Sequence, residues 1–332
     1  MISRDYPYMY ARVSAKKAKL LEESDYQQLI KMEPNEIARK LQEGGYKTDI
    51  DELGVEYDGV ELVELALMRN VSRTMADMID ISPDSLDPVI NSFLRRYDIL
   101  SLKRLLRWKK GGEKGEVKDL LVPVGQYTAE DLQELSEKSF EEICRSIKFK
   151  DSDVDYQSFI ENTDDIREVE RNLDRAYYKE MRQTADSLGN MWFKKFIRKE
   201  VEYEDLKIAL RLKKYGLEIE EIEEWLVGEK ITKCIEKVLE SENLDEAIKE
   251  VEECEGLEFQ NGKNIEDVEH TLEIERLKSA FRTLHTEPLG LTSVFGYIVA
   301  KMVEVKNLRM LIRAKETNIQ NQETIRRNLV IA

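Results

Sequence analysis

Apolar residues recur along this chain at intervals of three and four, the spacing of one face of an α-helix. The pattern is plainest in 304-EVKNLRMLIRAK-315, where Val305, Leu308, Leu311 and Ile312 share one stripe. The same pattern is written twice earlier, as 98-DILSLKRLLRWK-109 and 202-EYEDLKIALRLK-213. The three copies align without gaps on Leu102, Leu206 and Leu308, about a hundred residues apart. Four positions before that leucine stands an acid: Asp98, Glu202, Glu304. One position before it stands a cap-type polar residue: Ser101, Asp205, Asn307. One position after it the residue is basic (Lys103, Lys207, Arg309), five after it is arginine (Arg107, Arg211, Arg313), and seven after it is lysine (Lys109, Lys213, Lys315).

Two further elements keep the same order and interval. The segments 25-DYQQLIKMEPNEIARKL-41, 131-DLQELSEKSFEEICRSI-147 and 235-IEKVLESENLDEAIKEV-251 each predict two helices with a break between them. At the break Glu33, Ser139 and Asn243 take the N-cap, with Pro34, Phe140 and Leu244 opening the helix. Glu36, Glu142 and Glu246 follow at its third position, where a carboxylate meets free backbone N–H groups. The other element is V-E-x-x-L, at Val63-Glu64 to Leu67, Val169-Glu170 to Leu173 and Val268-Glu269 to Leu272. Each unit therefore reads as a capped helix pair, a helix starting near V-E-x-x-L, and the motif helix.

A period this long exceeds the 30–45 residues of short stacking helical repeats and leaves each unit room for a small core. The fold class is all-α: three tandem, mutually similar helical domains with approximate threefold pseudo-symmetry, at 1–120, 121–226 and 227–332. The joints fall near 109-KKGGEKGEVKDLLVPVG-125 and 226-LVGEK-230. Composition agrees, because 36% charged residues with 15 Gly and 6 Pro in 332 residues speak against a loop-rich or all-β chain.

The motif's acid poses a question. Four positions back is about 40° from the central leucine on a helical wheel, inside the apolar stripe, and a buried carboxylate is costly unless paired. The arginine points away from that stripe and predicts an internal brace to the V-E-x-x-L glutamate of its own unit: Arg107 with Glu64, Arg211 with Glu170, Arg313 with Glu269. All nine residues, Asp98, Glu202 and Glu304 included, read as structural.

The net charge of −16 excludes nucleic acid as a main partner, since phosphate binding needs surplus Lys and Arg. It disfavours adsorption to anionic lipid; a solvated acidic surface that keeps a helical protein soluble accounts for it, and a basic protein partner is the sharper reading. Cys144, Cys234 and Cys254, odd in number and without C-x-x-C spacing, read as reduced thiols of a cytoplasmic protein. The start, MISRDYPYMYARV, lacks a signal-peptide apolar core, and 291–303 falls short of the about 20 residues a spanning helix needs. His270 and His285 have no partner at metal-ligand spacing. The run KKGGEKGE at 109–116 lacks the P-loop register, and 164-DDIRE-168 departs from the D-D-x-x-D pattern that holds magnesium in all-α isoprenoid enzymes. No nucleophile–base pair stands out. The residues thus call for no catalytic site, metal, cofactor or small-molecule substrate, leaving a helical adaptor ahead of an all-α enzyme.

Two stretches, 6-YPYMYARVSAKKAKLL-21 and 287-EPLGLTSVFGYIVAKMVEVKNLRMLIRAK-315, resemble the C-subunit family of archaeal A-type and bacterial V/A-type ATP synthases. That family includes the d subunit of eukaryotic vacuolar ATPases. The second stretch is the more specific: a proline–glycine loop, then Tyr297, then an acid ahead of Lys306-Asn307-Leu308-Arg309. Met302-Val303 departs from the pattern where a second acid is expected. The resemblance spans essentially the whole chain. It implies a non-catalytic rotor part: a funnel of three helical domains on the cytoplasmic face of the membrane proteolipid ring, receiving the central stalk and transmitting torque. A generic helical scaffold is the alternative.

Overall fold

The computed structural model describes residues 6–83, 86–113, 124–161, 163–259, 264–286, 291–317, 319 and 321–331. Most of the first expected joint and the proline–glycine loop at 287–290 lie outside the described residues. Among the described residues every regular element is a helix. A first helix, α1 (Tyr6–Lys17), precedes three successions of the same kind. The first runs α2 (Glu23–Leu29), α3 (Pro34–Gln42), α4 (Lys47–Leu53), α5 (Gly59–Ile81) and α6 (Asp87–Lys110). The second runs α7 (Ala129–Ser136), α8 (Phe140–Ser146), α9 (Gln157–Ile160), α10 (Ile166–Leu188) and α11 (Met191–Lys214). A short α12 (Ile219–Glu223) follows, and the third runs α13 (Lys233–Glu240), α14 (Leu244–Glu255), α15 (Ile265–Thr286) and α16 (Leu291–Glu316), with α17 (Gln322–Asn328) after it.

The helix starts are where local chemistry puts them. The three breaks carry Glu33, Ser139 and Asn243 at the N-cap, and helices α3, α8 and α14 open on Pro34, Phe140 and Leu244. Glu36 and Glu142 each accept from the backbone N–H of their N-cap at 2.9 Å, while Glu246 reaches one residue further, to Glu242 N–H at 2.6 Å. Ser139 and Asn243 return the favour with side-chain oxygens on the third residue's N–H, at 3.2 and 3.0 Å. Free amides that would otherwise lose water are satisfied on the spot.

The chain packs as two compact units, one of residues 1–90 with 274–332 and the other of 91–273. In the first, α16 lies along α5, α3 and α4 cover another side of α5, and α1 packs on α16. Val305, Leu308, Leu311 and Ile312 of the third motif are all buried there, as are Val63 and Leu67 of the first V-E-x-x-L. In the second, one apolar cluster joins Leu206, Ala209 and Leu210 of α11 to Ile235, Val238 and Leu239 of α13, Ala247, Ile248 and Val251 of α14, and Val268 and Leu272 of α15. A motif helix thus forms its core with the elements of the following sequence segment, and the last motif helix with those of the first.

The buried stripe predicts a clear contrast in stability. Leu308→Ala, at a fully buried position, should cost about 2–5 kcal/mol in urea unfolding. Leu65→Ala, at a position 37% exposed, should stay within about 0.5 kcal/mol of the parent.

Candidate functional site

The repeated polar residues come together as links between helices. The guanidinium of Arg107 on α6 holds both carboxylate oxygens of Glu170 on α10, the second at 2.6 Å. Arg211 on α11 holds Glu269 on α15 at 2.5 and 2.7 Å. Arg313 on α16 holds Glu64 on α5 at 2.8 and 3.0 Å. All three bonds are bidentate, the geometry that a planar guanidinium favours. The partners differ from the expected ones. In place of Arg107–Glu64, Arg211–Glu170 and Arg313–Glu269, each arginine reaches the glutamate of the next segment, and the last returns to the first. The helical period tells which way an arginine points along its own helix and nothing of which helix will lie opposite. Two of the three motif lysines follow the same shift, while Lys109 pairs with Glu113 four residues on at 2.7 Å. Lys213 donates to the Leu239 carbonyl at the end of α13, and Lys315 to the Ile30 carbonyl at the end of α2, at 2.9 and 2.7 Å. Both satisfy orphan carbonyls and complement the helix dipole.

The acids in the apolar stripe have a different task. Asp98, 2% exposed, accepts the backbone N–H groups of Gln126 and Tyr127 at 3.0 and 3.1 Å, one on each oxygen. Glu304 is 4% exposed and accepts Leu21 N–H and the Tyr46 hydroxyl, both at 2.6 Å. In the second motif the acid at this position, Glu202, is only half-buried and pairs with Lys199 at 2.8 Å. Its place is taken by Asp205, three residues on and 1% exposed, which accepts Val227 N–H at 2.7 Å and Gly228 N–H at 3.1 Å. Each buried carboxylate therefore clasps the stretch of chain that opens the next segment: 126–127, 227–228 and, for the last, Leu21. The clasps leave no room at the turns, because a Cβ on Gly125 would overlap the Asp98 carboxyl and one on Gly228 the Asp205 carboxyl. Glycine at these joints is thus a matter of close approach.

Two features escape the sequence pattern. Asp205 reads there as a cap residue, although it lies well inside α11. A cation stands seven positions before each central leucine, at Arg95, Lys199 and Lys301, and it answers the question of the acid in the stripe. Arg95 lies 4.0 Å from Asp98, Lys199 2.8 Å from Glu202 and Lys301 2.8 Å from Glu304, each one turn away on the same helix. Each also sits over an aromatic ring: Arg95 on Phe149 at 4.1 Å, Lys199 on Tyr203 at 5.1 Å, Lys301 on Tyr46 at 4.0 Å. The available signal is a constant spacing between cation and acid. Arg95 is itself buried and bonds Glu180 at 3.3 Å, which also accepts the Tyr156 hydroxyl at 2.5 Å.

Burial dominates the protonation of Asp98, Asp205 and Lys301. It pushes Asp98 and Asp205 up to about 6, against the opposing pull of the clasped N–H groups. It lowers Lys301, against the Glu304 carboxylate that favours its charge. Among the described residues, no group of three or more His, Cys, Asp and Glu is arranged to hold a metal ion, and no helix is long and apolar enough to cross a membrane.

Fold and links together define an all-α protein whose recurring polar residues join helix to helix. The chain belongs to the ATP synthase (C/AC39) subunit family, whose sequence model matches residues 9–327. It is 35% identical to the C subunit of the A-type ATP synthase of Methanococcoides burtonii over 99% of this chain and 95% of that protein. It is 31% identical to the C subunit of Methanosarcina mazei, covering 99% and 94%, and 31% identical to that of Archaeoglobus fulgidus, covering 98% and 96%.

Magnitudes rank the links. The arginines are 63%, 56% and 53% exposed, so solvent screening holds each bridge to about 0.5–1 kcal/mol. Losing a clasp orphans buried amides at about 1–3 kcal/mol. Arg211→Ala should therefore destabilise less than Asp205→Ala in chemical denaturation, and the reverse order would refute the ranking. The pH dependence has a definite sign. With the folded pKa raised above 3.8, the folded state binds the proton more tightly. The stability this contributes is complete below 3.8 and lost as pH rises through about 6. Between pH 4 and 7 the parent should lose on the order of 1–3 kcal/mol relative to Asp205→Asn, which cannot titrate.

Proposed function

We propose that this chain is the non-catalytic rotor adaptor of an A-type ATP synthase, joining the central stalk to the membrane ring on the cytoplasmic side and passing torque between them. The observation that carries this reading is the near full-length similarity to proteins named as the C subunit of A-type ATP synthases. The three segments 1–120, 121–226 and 227–332 would act as one load-bearing part, each tied to the next by the clasps and bridges of its motif helix. The nine residues Asp98, Glu202, Glu304, Arg107, Arg211, Arg313, Glu64, Glu170 and Glu269 then serve rigidity, and contacts to stalk and ring fall on other surfaces.

Energetics support a stiff part. Each elementary charge crossing at 100 mV supplies roughly 2.3 kcal/mol, the same order as one clasp, so a joint lacking its clasp would yield under the load of single ion steps. The −16 balance suits attachment to ring loops rich in Lys and Arg.

Reconstitution tests the proposal. A complex assembled without this chain should keep hydrolysing ATP in its head while ion transport stops, and adding the chain back should restore transport. Transport that persists at full rate without the chain would overturn the rotor reading. Attachment to the isolated ring should weaken as salt is raised.

A further inference from the structure

Helices α13 and α14 form a hairpin joined by the three residues Ser241–Asn243. Lys237 on the first bonds Glu250 on the second at 2.8 Å, which fixes the register of the two helices. One turn further from the connection stand Cys234 on α13 and Cys254 on α14, three residues before Lys237 and four after Glu250. The spacing carries both to the facing side, close enough for Cys254 to act on the Cys234 thiol. Cys234 is buried and Cys254 exposed. The third thiol, Cys144, is buried in α8 of the preceding segment. We propose that Cys234 and Cys254 are an oxidisable dithiol, a modification site at which a hydroperoxide closes an intramolecular disulfide across the open end of this hairpin.

The asymmetry of the pair assigns the steps. Burial, the neighbouring Cys254 and the nearby carboxylates Glu255 and Glu202 push the Cys234 thiol up, so it stays protonated at neutral pH. Cys254, in contact with solvent, meets the oxidant first. Its thiolate attacks one peroxide oxygen, the O–O bond breaks, and a sulfenic acid forms as hydroxide leaves and takes a proton to become water. The Cys234 sulfur then attacks the Cys254 sulfur. The S–S bond forms, the sulfenic hydroxyl leaves, and it takes the Cys234 proton as a second water. Two thiols lose two electrons in all, and one hydrogen peroxide becomes two waters.

The position gives the modification a structural consequence. Glu255, next to Cys254, accepts Lys199 at 2.7 Å, and Lys199 also holds Glu202 of the second motif. A disulfide would pin the end of α14 beside the bridge that ties it to α11.

The full-length chain, treated with hydrogen peroxide and then denatured, should show its free thiols falling from three to one. Peptide mapping without reductant should join the Cys234 and Cys254 peptides at a mass lower by two hydrogens, at a rate independent of protein concentration. Dithiothreitol should restore all three thiols. As a second probe, a monosubstituted trivalent arsenical, which needs two adjacent thiols, should bind the untreated chain in one equivalent and bind Cys254→Ser, altered only at an exposed position, at least tenfold more weakly. Oxidation that stops at Cys254, a disulfide between two copies at a concentration-dependent rate, or arsenical binding unaffected by Cys254→Ser would each overturn the proposal.

Discussion

Carboxylates buried in an apolar helix stripe, each accepting backbone N–H groups of a distant turn, are the contact on which this architecture rests. A chain that passes from one helical segment to the next must bring irregular backbone against packed helices, and its amides lose water there. Apolar side chains cannot supply acceptors. Asp98, Asp205 and Glu304 do so from inside the stripe. The same placement makes Asp98 and Asp205 costly to ionise, and the clasped amides and nearby cations offset that cost only in part, since burial still raises both. The exposed bidentate bridges add orientation between long helices and comparatively little free energy.

The three motifs reach the same end by different residues. Two positions, four and one before the central leucine, lie about one helical turn apart on the same face. In the first motif the acid clasps from the earlier position, in the second from the later one. In the third, Glu304 holds Leu21 while Asn307 exchanges two bonds with Val330, at 2.8 and 2.9 Å. Identity at either position has drifted. What persists is an acceptor facing the neighbouring backbone. The constraint is geometric, and a motif read as a string of residue types understates it.

This explains which parts are legible in the sequence. Helix starts can be read residue by residue because a cap and its third-position carboxylate act within four residues. The buried leucines can be read because a helix face is a local property. Partners cannot. Arg107 and Glu64 fall in one segment of sequence, yet Glu64 receives Arg313 across 249 residues, and no periodicity encodes that choice. Asp205 resembles a cap because Asp is common there, although the stripe runs on through it. The cations at Arg95, Lys199 and Lys301 are readable from spacing alone, and their meaning appears only beside a buried acid.

The shifted pairing also sets an order of assembly. The unit of residues 91–273 is built from continuous chain, and its clasps and bridges, Asp98 to Tyr127, Asp205 to Val227, Arg107 to Glu170 and Arg211 to Glu269, join residues 22–63 apart. The unit that combines 1–90 with 274–332 depends on Glu304 reaching Leu21 across 283 residues and Arg313 reaching Glu64. Such contacts cannot exist until the end of the chain has been made. Until then α5 lacks α16, the helix that lies along it. Loop-closure entropy rises only slowly with length, so the long separation weakens the finished clasp little; what it costs is time. An N-terminal segment that waits with an uncovered apolar face needs its terminal partner to be specific. Three polar links of α16, Glu304 to Leu21, Arg313 to Glu64 and Lys315 to Ile30, supply that specificity along one helix, in a register that a slip of a single residue would break.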